Sequence, residues 1–193
     1  MFRKLPLYLS LLLLTQCSKC KRDDPAPQSP KDPLSLLPPE TQTGAGTFGC
    51  LLNGQPWLPS GTLNVPNFLV LYDPTFQNGT LDVRTYRLFG NATNRQYFSF
   101  GGDGVSKTGK YAVTSSVFPP VLGSCTTYFS DDSKTAPCNF YNLLPGTTSV
   151  TVYFILSRLD KQQGIVSGTF AFTLAQPGCD TLKITNGRFD YKL

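Results

Sequence analysis

The sequence predicts an all-β domain, a single antiparallel β-sandwich or β-barrel, placed after a lipoprotein signal and a proline-rich tether. Three observations carry that expectation. Short runs of Val, Thr, Tyr and Phe alternate with polar residues, and Gly, Pro, Asn and Asp separate them, which is the patterning of strands and turns. No window has a helical period, and the 193 residues include a single glutamate, Glu40. No crossover helices stand between the runs, so antiparallel pairing is expected.

The elements follow in chain order. Arg3 and Lys4 make a basic start, and Leu5 to Leu14 is almost purely apolar. That run is about ten residues, half of the roughly 20 a membrane-crossing helix needs, and has the length of a signal-peptide core. It ends Leu14-Thr15-Gln16-Cys17, which resembles a bacterial lipobox with Leu14 three residues before the cysteine. Gln16 departs from the Gly, Ala or Ser usual there. Cys17 is therefore the expected lipidation site, with a signal over 1–16. Cys20 fits the pattern less well. Acyl chains contribute roughly 0.8 kcal/mol per buried methylene, enough to hold a soluble domain on a membrane. Ser18 after the cysteine, by analogy with lipoprotein sorting, points to the outer membrane.

Residues 17–46 read as the lipidated cysteine and its tether. Six prolines fall between Pro25 and Pro39, among Ser, Lys, Asp and Gln. Such a segment is expected to stay extended, some twenty residues reaching roughly 60 Å at ~3.1 Å each. Lys19, Lys21 and Arg22 before Asp23-Asp24 loosely resemble a surface-export signal; a solvated linker is the simpler reading.

Residues 47–193 are one domain by length. Its expected strands begin with "TFGCLL", closed by Asn53-Gly54, a type I′ hairpin signal. "NFLVLY" and "TLDVRTYRLF" follow; the second puts Leu81, Val83, Thr85 and Arg87 on one side. "RQYFSF", "KYAVTS", "CTTYFS", "SVTVYFILSRL", "IVSGTFAFTL", "TLKIT" and "RFDYKL" complete the series.

Cys50, Cys125, Cys138 and Cys179 lie in the domain, and an even set in an exported chain reads as disulfide-bonded. Four cysteines allow three connectivities. The short segment between Cys125 and Cys138 favours that pair, which leaves Cys50 with Cys179 and brings the first and last strands together.

Composition excludes several chemistries. The chain has no histidine, which removes histidine-based triads and most zinc catalysis. The formal net charge of +5 falls to about +3 without Arg3 and Lys4, and the domain has no basic cluster, so no nucleic-acid footprint is present. In "GVSKTGKY" the spacing of Gly104, Gly109 and Lys110 matches a phosphate loop, but Tyr111 stands where a magnesium-binding hydroxyl is required. Most of the eight domain aspartates sit in turn contexts, such as Asp73-Pro74 and Asp131-Asp132. Catalytic residues, metal ligands and cofactors are therefore expected to be none. Trp57, in "NGQPWLP", is the candidate exposed aromatic for binding, with packing as the simpler reading. Asp180-Thr181-Leu182 fits a short O-glycosylation pattern at Thr181.

Two stretches carry a resemblance. "LPPETQTGAGTFGCLLNGQPWLP" (37–59), and "ILSRLDKQQGIVSGTFAFTL" (155–174) with "ITNGRFD" (184–190), resemble small β-rich lipoproteins of the Bacteroidota type, a domain of unknown function. The likeness is thin between residues 60 and 145. It implies a lipoprotein and a β-rich fold, and it supplies no catalytic residues.

The expected function is a non-enzymatic β-domain, lipid-anchored at the cell envelope, that binds or presents an envelope or extracellular ligand. Its alternatives are a lipocalin-like barrel around a small apolar ligand and, remotely, a glycoside hydrolase with an aspartate pair.

Overall fold

The computed structural model describes residues 32–113, 125–142 and 148–193. The expected signal, Cys17, Cys20 and the first part of the tether lie outside the described residues.

The strands are β1 (Thr47–Leu52), β2 (Gln55–Trp57), β3 (Phe68–Asp73), β4 (Thr80–Phe89), β5 (Asn94–Asp103), β6 (Gly109–Val113), β7 (Cys125–Asp131), β8 (Phe140–Asn142), β9 (Thr148–Asp160), β10 (Ile165–Ala175) and β11 (Leu182–Lys192). They form a six-stranded sheet, β2-β1-β11-β10-β9-β6, and a five-stranded sheet, β3-β4-β5-β7-β8. Every pairing between strands is antiparallel. The two sheets pack as a sandwich and neither closes on itself, which resolves the choice between sandwich and barrel.

Local chemistry sets the turns. Asn53 and Gly54 take φ of 48° and 81°, the double positive φ of a type I′ hairpin between β1 and β2. Asp160 accepts from the backbone N–H of Gln162 and Gln163 and so turns β9 into β10.

Alternation then sorts the side chains. Leu81, Val83 and Thr85 of β4 face the interior with Phe98 and Phe100 of β5 and meet Phe48, Phe170 and Phe172 of the other sheet. The Phe100 and Phe170 rings lie 4.6 Å apart and those of Phe98 and Phe172 5.5 Å. These rings fill the space where a barrel would have held a ligand, so the barrel on which the apolar-ligand alternative rested is absent. Gly187 is part of this packing: a Cβ there would stand 2.3 Å from the Phe170 ring.

Three expectations are corrected. The boundary placed at residue 46 moves to Asp32, because the segment thought to be free tether packs on the sandwich. Pro33–Leu36 forms a 3-10 turn capped by Asp32, and Leu37 is buried.

The disulfide pairing is also different. Cys138 bonds Cys179, with Cα atoms 5.5 Å apart, and Cys50 is free and buried. The segment after Cys125 is not a flexible loop; it is β7. Seven extended residues carry the chain roughly 20 Å away before it can turn toward Cys138. Cys50 faces the core opposite the bulge of β11, while Cys179 lies in the turn before Leu182. The first and last strands do pair, but their cysteines do not. The actual bridge joins the β7–β8 connection of one sheet to the β10–β11 connection of the other.

The third correction concerns the binding role offered for Trp57, which is 1% exposed and part of the core, in line with its packing reading.

Candidate functional site

The two outer faces of the sandwich differ. On the six-stranded sheet, Asp190 of β11 and Ser167 of β10 are partners across the ladder and point outward, yet both are buried. Residues 37–46 cover them. The Asp190 carboxylate accepts from the hydroxyls of Thr41, Thr43 and Ser167 and from the backbone N–H of Thr43, Gly44 and Ala45. Arg158 donates to the Gln42 carbonyl and Arg188 to the Pro38 carbonyl, at 3.1 Å for the latter. Gly44, at φ 76°, lies against Lys192 so closely that a Cβ would come within 2.9 Å of that side chain. Burial raises the Asp190 pKa, but the hydroxyl of Ser167 and the other donors outweigh it and hold the carboxyl well below its usual range. We call this arrangement the clasp.

The outer face of the five-stranded sheet is covered only toward Tyr86, whose buried hydroxyl accepts from the Leu63 N–H and donates to the Val65 carbonyl; around Asp82 and Arg84 it is open among the described residues. Asp82 and Arg84 of β4, Tyr97, Ser99 and Gly101 of β5, and Thr126 and Tyr128 of β7 point outward from it. A concavity of about 370 Å³ lies over Gly101, walled by Asp82, Arg84, Tyr97, Asp103 and Thr126. Tyr97 is half-buried and its ring lies 5.9 Å from that of the exposed Tyr128, tilted by 59°. Arg84 places Nε and Nη2 on one oxygen of Asp82, Oδ2, at 2.8 and 2.5 Å. Asp103 accepts from the Thr80 hydroxyl at 2.8 Å. Burial pushes the Tyr97 phenol up, against the Ser99 hydroxyl and the Arg84 charge, so it keeps its proton at neutral pH. Sequence alternation exposed Asp82 and Arg84, but the neighbours from β5 and β7 required the register.

Other expected residues fall elsewhere. The Trp57 indole N–H donates to Gln96 at 2.9 Å, and Arg87 donates to the same oxygen at 2.7 Å. The Gln96 amide donates to Asp131 at 2.6 Å, and the Arg87 guanidinium stands 5.6 Å from the Trp57 ring centre. This closed network satisfies polar groups at the rim of the core and leaves Trp57 no free face. Burial pushes the nearby Cys50 thiol up to about 12, with Arg87 opposing, so it is an inert thiol. Thr181 is exposed, in the turn just before β11. Among the described residues no group of His, Cys, Asp and Glu could hold a metal ion, and no helix is long and apolar enough to cross a membrane.

No family model, curated protein or solved structure matches this chain.

Proposed function

We propose that this protein is a lipid-anchored, non-enzymatic binding domain of the cell envelope, whose recognition face is the outer face of the five-stranded sheet. One observation carries the reading. The chain reaches the domain along the outside of the six-stranded sheet, and the concavity with Tyr97 and Tyr128 lies on the opposite outer face. A domain approached by its tether on one face offers the other to a partner. Lipidation at Cys17, export to the outer membrane and O-glycosylation at Thr181 belong to the same proposal and rest on the sequence alone. The non-enzymatic part is supported by Asp82 and Asp103, the two carboxylates of this face, being engaged by Arg84 and Thr80.

The test is photo-crosslinking in cells. A photoreactive residue at Ser99 or Thr126 should give a discrete adduct, while the same residue at Thr173, outward on the six-stranded sheet, should not. Equal results at both faces would refute the face assignment. For the anchor, Cys17→Ser should block acyl labelling and release the chain from membranes, and Cys20→Ser should not; labelling that survives Cys17→Ser removes the lipoprotein reading.

A further inference from the structure

We infer that the concavity over Gly101 takes a neutral saccharide chain, a conclusion that rests on the recognition face proposed above. The volume of about 370 Å³ falls in the low part of the ~300–1,000 Å³ typical of small-ligand sites. Part of its floor is backbone at Gly101, where a Cβ would run into the Leu81 carbonyl of β4 at 2.0 Å, so no side chain rises there and a flat ring can approach the sheet closely. Tyr97 and Tyr128 sit on neighbouring strands and present an aromatic edge beside that floor. The C–H faces of a pyranose pack on such rings, and the tyrosine hydroxyls bond its oxygens.

The polar groups fit the same ligand. Arg84 uses Nε and Nη2 on Asp82 Oδ2, so Nη1, on the far side of the guanidinium, and Oδ1 of Asp82 are not used in that pair. Saccharide hydroxyls match both groups: one donates to the carboxylate and another accepts from the guanidinium. Asp103 offers a second carboxylate, oriented through Oδ1 by Thr80. Ser99 and Thr126 add hydroxyls on the same face. The charges decide the class of chain. Two carboxylates and one guanidinium line the concavity, with Asp82 and Arg84 already paired. An acidic polysaccharide would meet Asp82 and Asp103, and an extended apolar peptide would bury the Asp82–Arg84 pair without replacing its water. A neutral, hydroxyl-rich chain does neither.

The experiment uses the full chain in detergent, titrated calorimetrically with neutral hexose oligomers of α and β linkage and with an oligogalacturonate as the acidic control. At least one neutral oligomer should bind with micromolar to millimolar affinity, and the acidic one should bind more weakly. Tyr128→Ala and Asp82→Asn should each weaken binding tenfold or more, while Tyr128→Phe retains most of it. Unfolding midpoints should stay close to the parent for Tyr128→Ala and Asp82→Asn, which separates lost contact from lost fold. If no neutral oligomer binds, yet Ser99 and Thr126 still crosslink to a protein in cells, the saccharide assignment falls and the recognition face stands. If both fail, both fall.

Discussion

The two outer faces of one sandwich carry similar polar chemistry and meet opposite fates. Asp190 and Asp82 are both outward carboxylates in the middle of a sheet. Asp190 is buried by residues of its own chain and surrounded by donors from Thr41, Thr43, Gly44, Ala45 and Ser167. Asp82 stays one-third exposed and holds only Arg84 at 2.5 Å. A buried carboxylate needs its hydrogen bonds complete, since an unpaired charge there is costly, whereas a solvated one needs none. The clasped face is therefore where the chain's own stability lies, and the open face is where substitutions should leave the fold alone.

The clasp gathers separate short elements of the sequence. The Thr-Gln-Thr-Gly element supplies Thr41, Thr43 and Gly44, the Ser-Gly-Thr-Phe element supplies Ser167, and the Gly-Arg-Phe-Asp element supplies Gly187, Arg188 and Asp190. Segments that lie nearly 150 residues apart meet around one carboxylate.

The comparison can be broken most strongly at Asp190. Asp190→Ala strands several buried donors and should cost about 3 kcal/mol or more in urea unfolding, with new protease cleavage in residues 37–46. A loss under about 1 kcal/mol would mean the clasp is ornamental to stability. Its pH dependence follows from the same group. The folded pKa lies below the unfolded value of about 3.9, so the contribution is complete at neutral pH and is lost progressively as pH falls below about 5. Asp190→Asn should flatten that acid limb of the stability curve.

Reduction of Cys138–Cys179 comes next. The bridge closes a separation of 41 residues, worth up to roughly 4 kcal/mol in the chain-entropy model. Reduced protein should unfold at lower urea, while alkylation of Cys50 waits for global unfolding. Rapid labelling of Cys50 in native protein would contradict its burial.

Gly187→Ala tests the packing behind the clasp. The added methyl must displace the Phe170 ring, an overpacking cost of about 1–3 kcal/mol. A neutral result would show that the ring has room to move.

The smallest effect belongs to the open face. Tyr128→Ala should change unfolding free energy by no more than about 0.5 kcal/mol, the range of ordinary surface substitutions. A cost several times larger would make Tyr128 a structural residue and weaken the reading of this face as a binding surface.

Much of the fold was legible because alternation is local. "TLDVRTYRLF" announced β4 over its full length, with Arg87 on the inward row beside Leu81, Val83 and Thr85, and Asn53-Gly54 announced its hairpin. The three-residue strand β8 escaped, and β2 was legible only as the return arm of that hairpin, since so few residues carry no period and owe their form to the neighbours they pair with. The packing of Trp57 was the simpler reading, but its polar partners were not legible, because they come from Arg87, Gln96 and Asp131 on three other strands.

By itself, the sequence determined strands, turns and an antiparallel all-β domain, because side-chain period and turn chemistry act over two to five residues. Only the tertiary structure decided sandwich over barrel, since closure depends on how strands order and pair, and residues as far apart as Thr47 and Asp190 must agree on it. Only it decided the disulfide, because β7 is straight and separates Cys125 from Cys138, and because β1 turns Cys50 inward. And only it divided the outer faces: the same kind of outward aspartate is covered at Asp190 and open at Asp82, according to which sheet the preceding chain happens to cross.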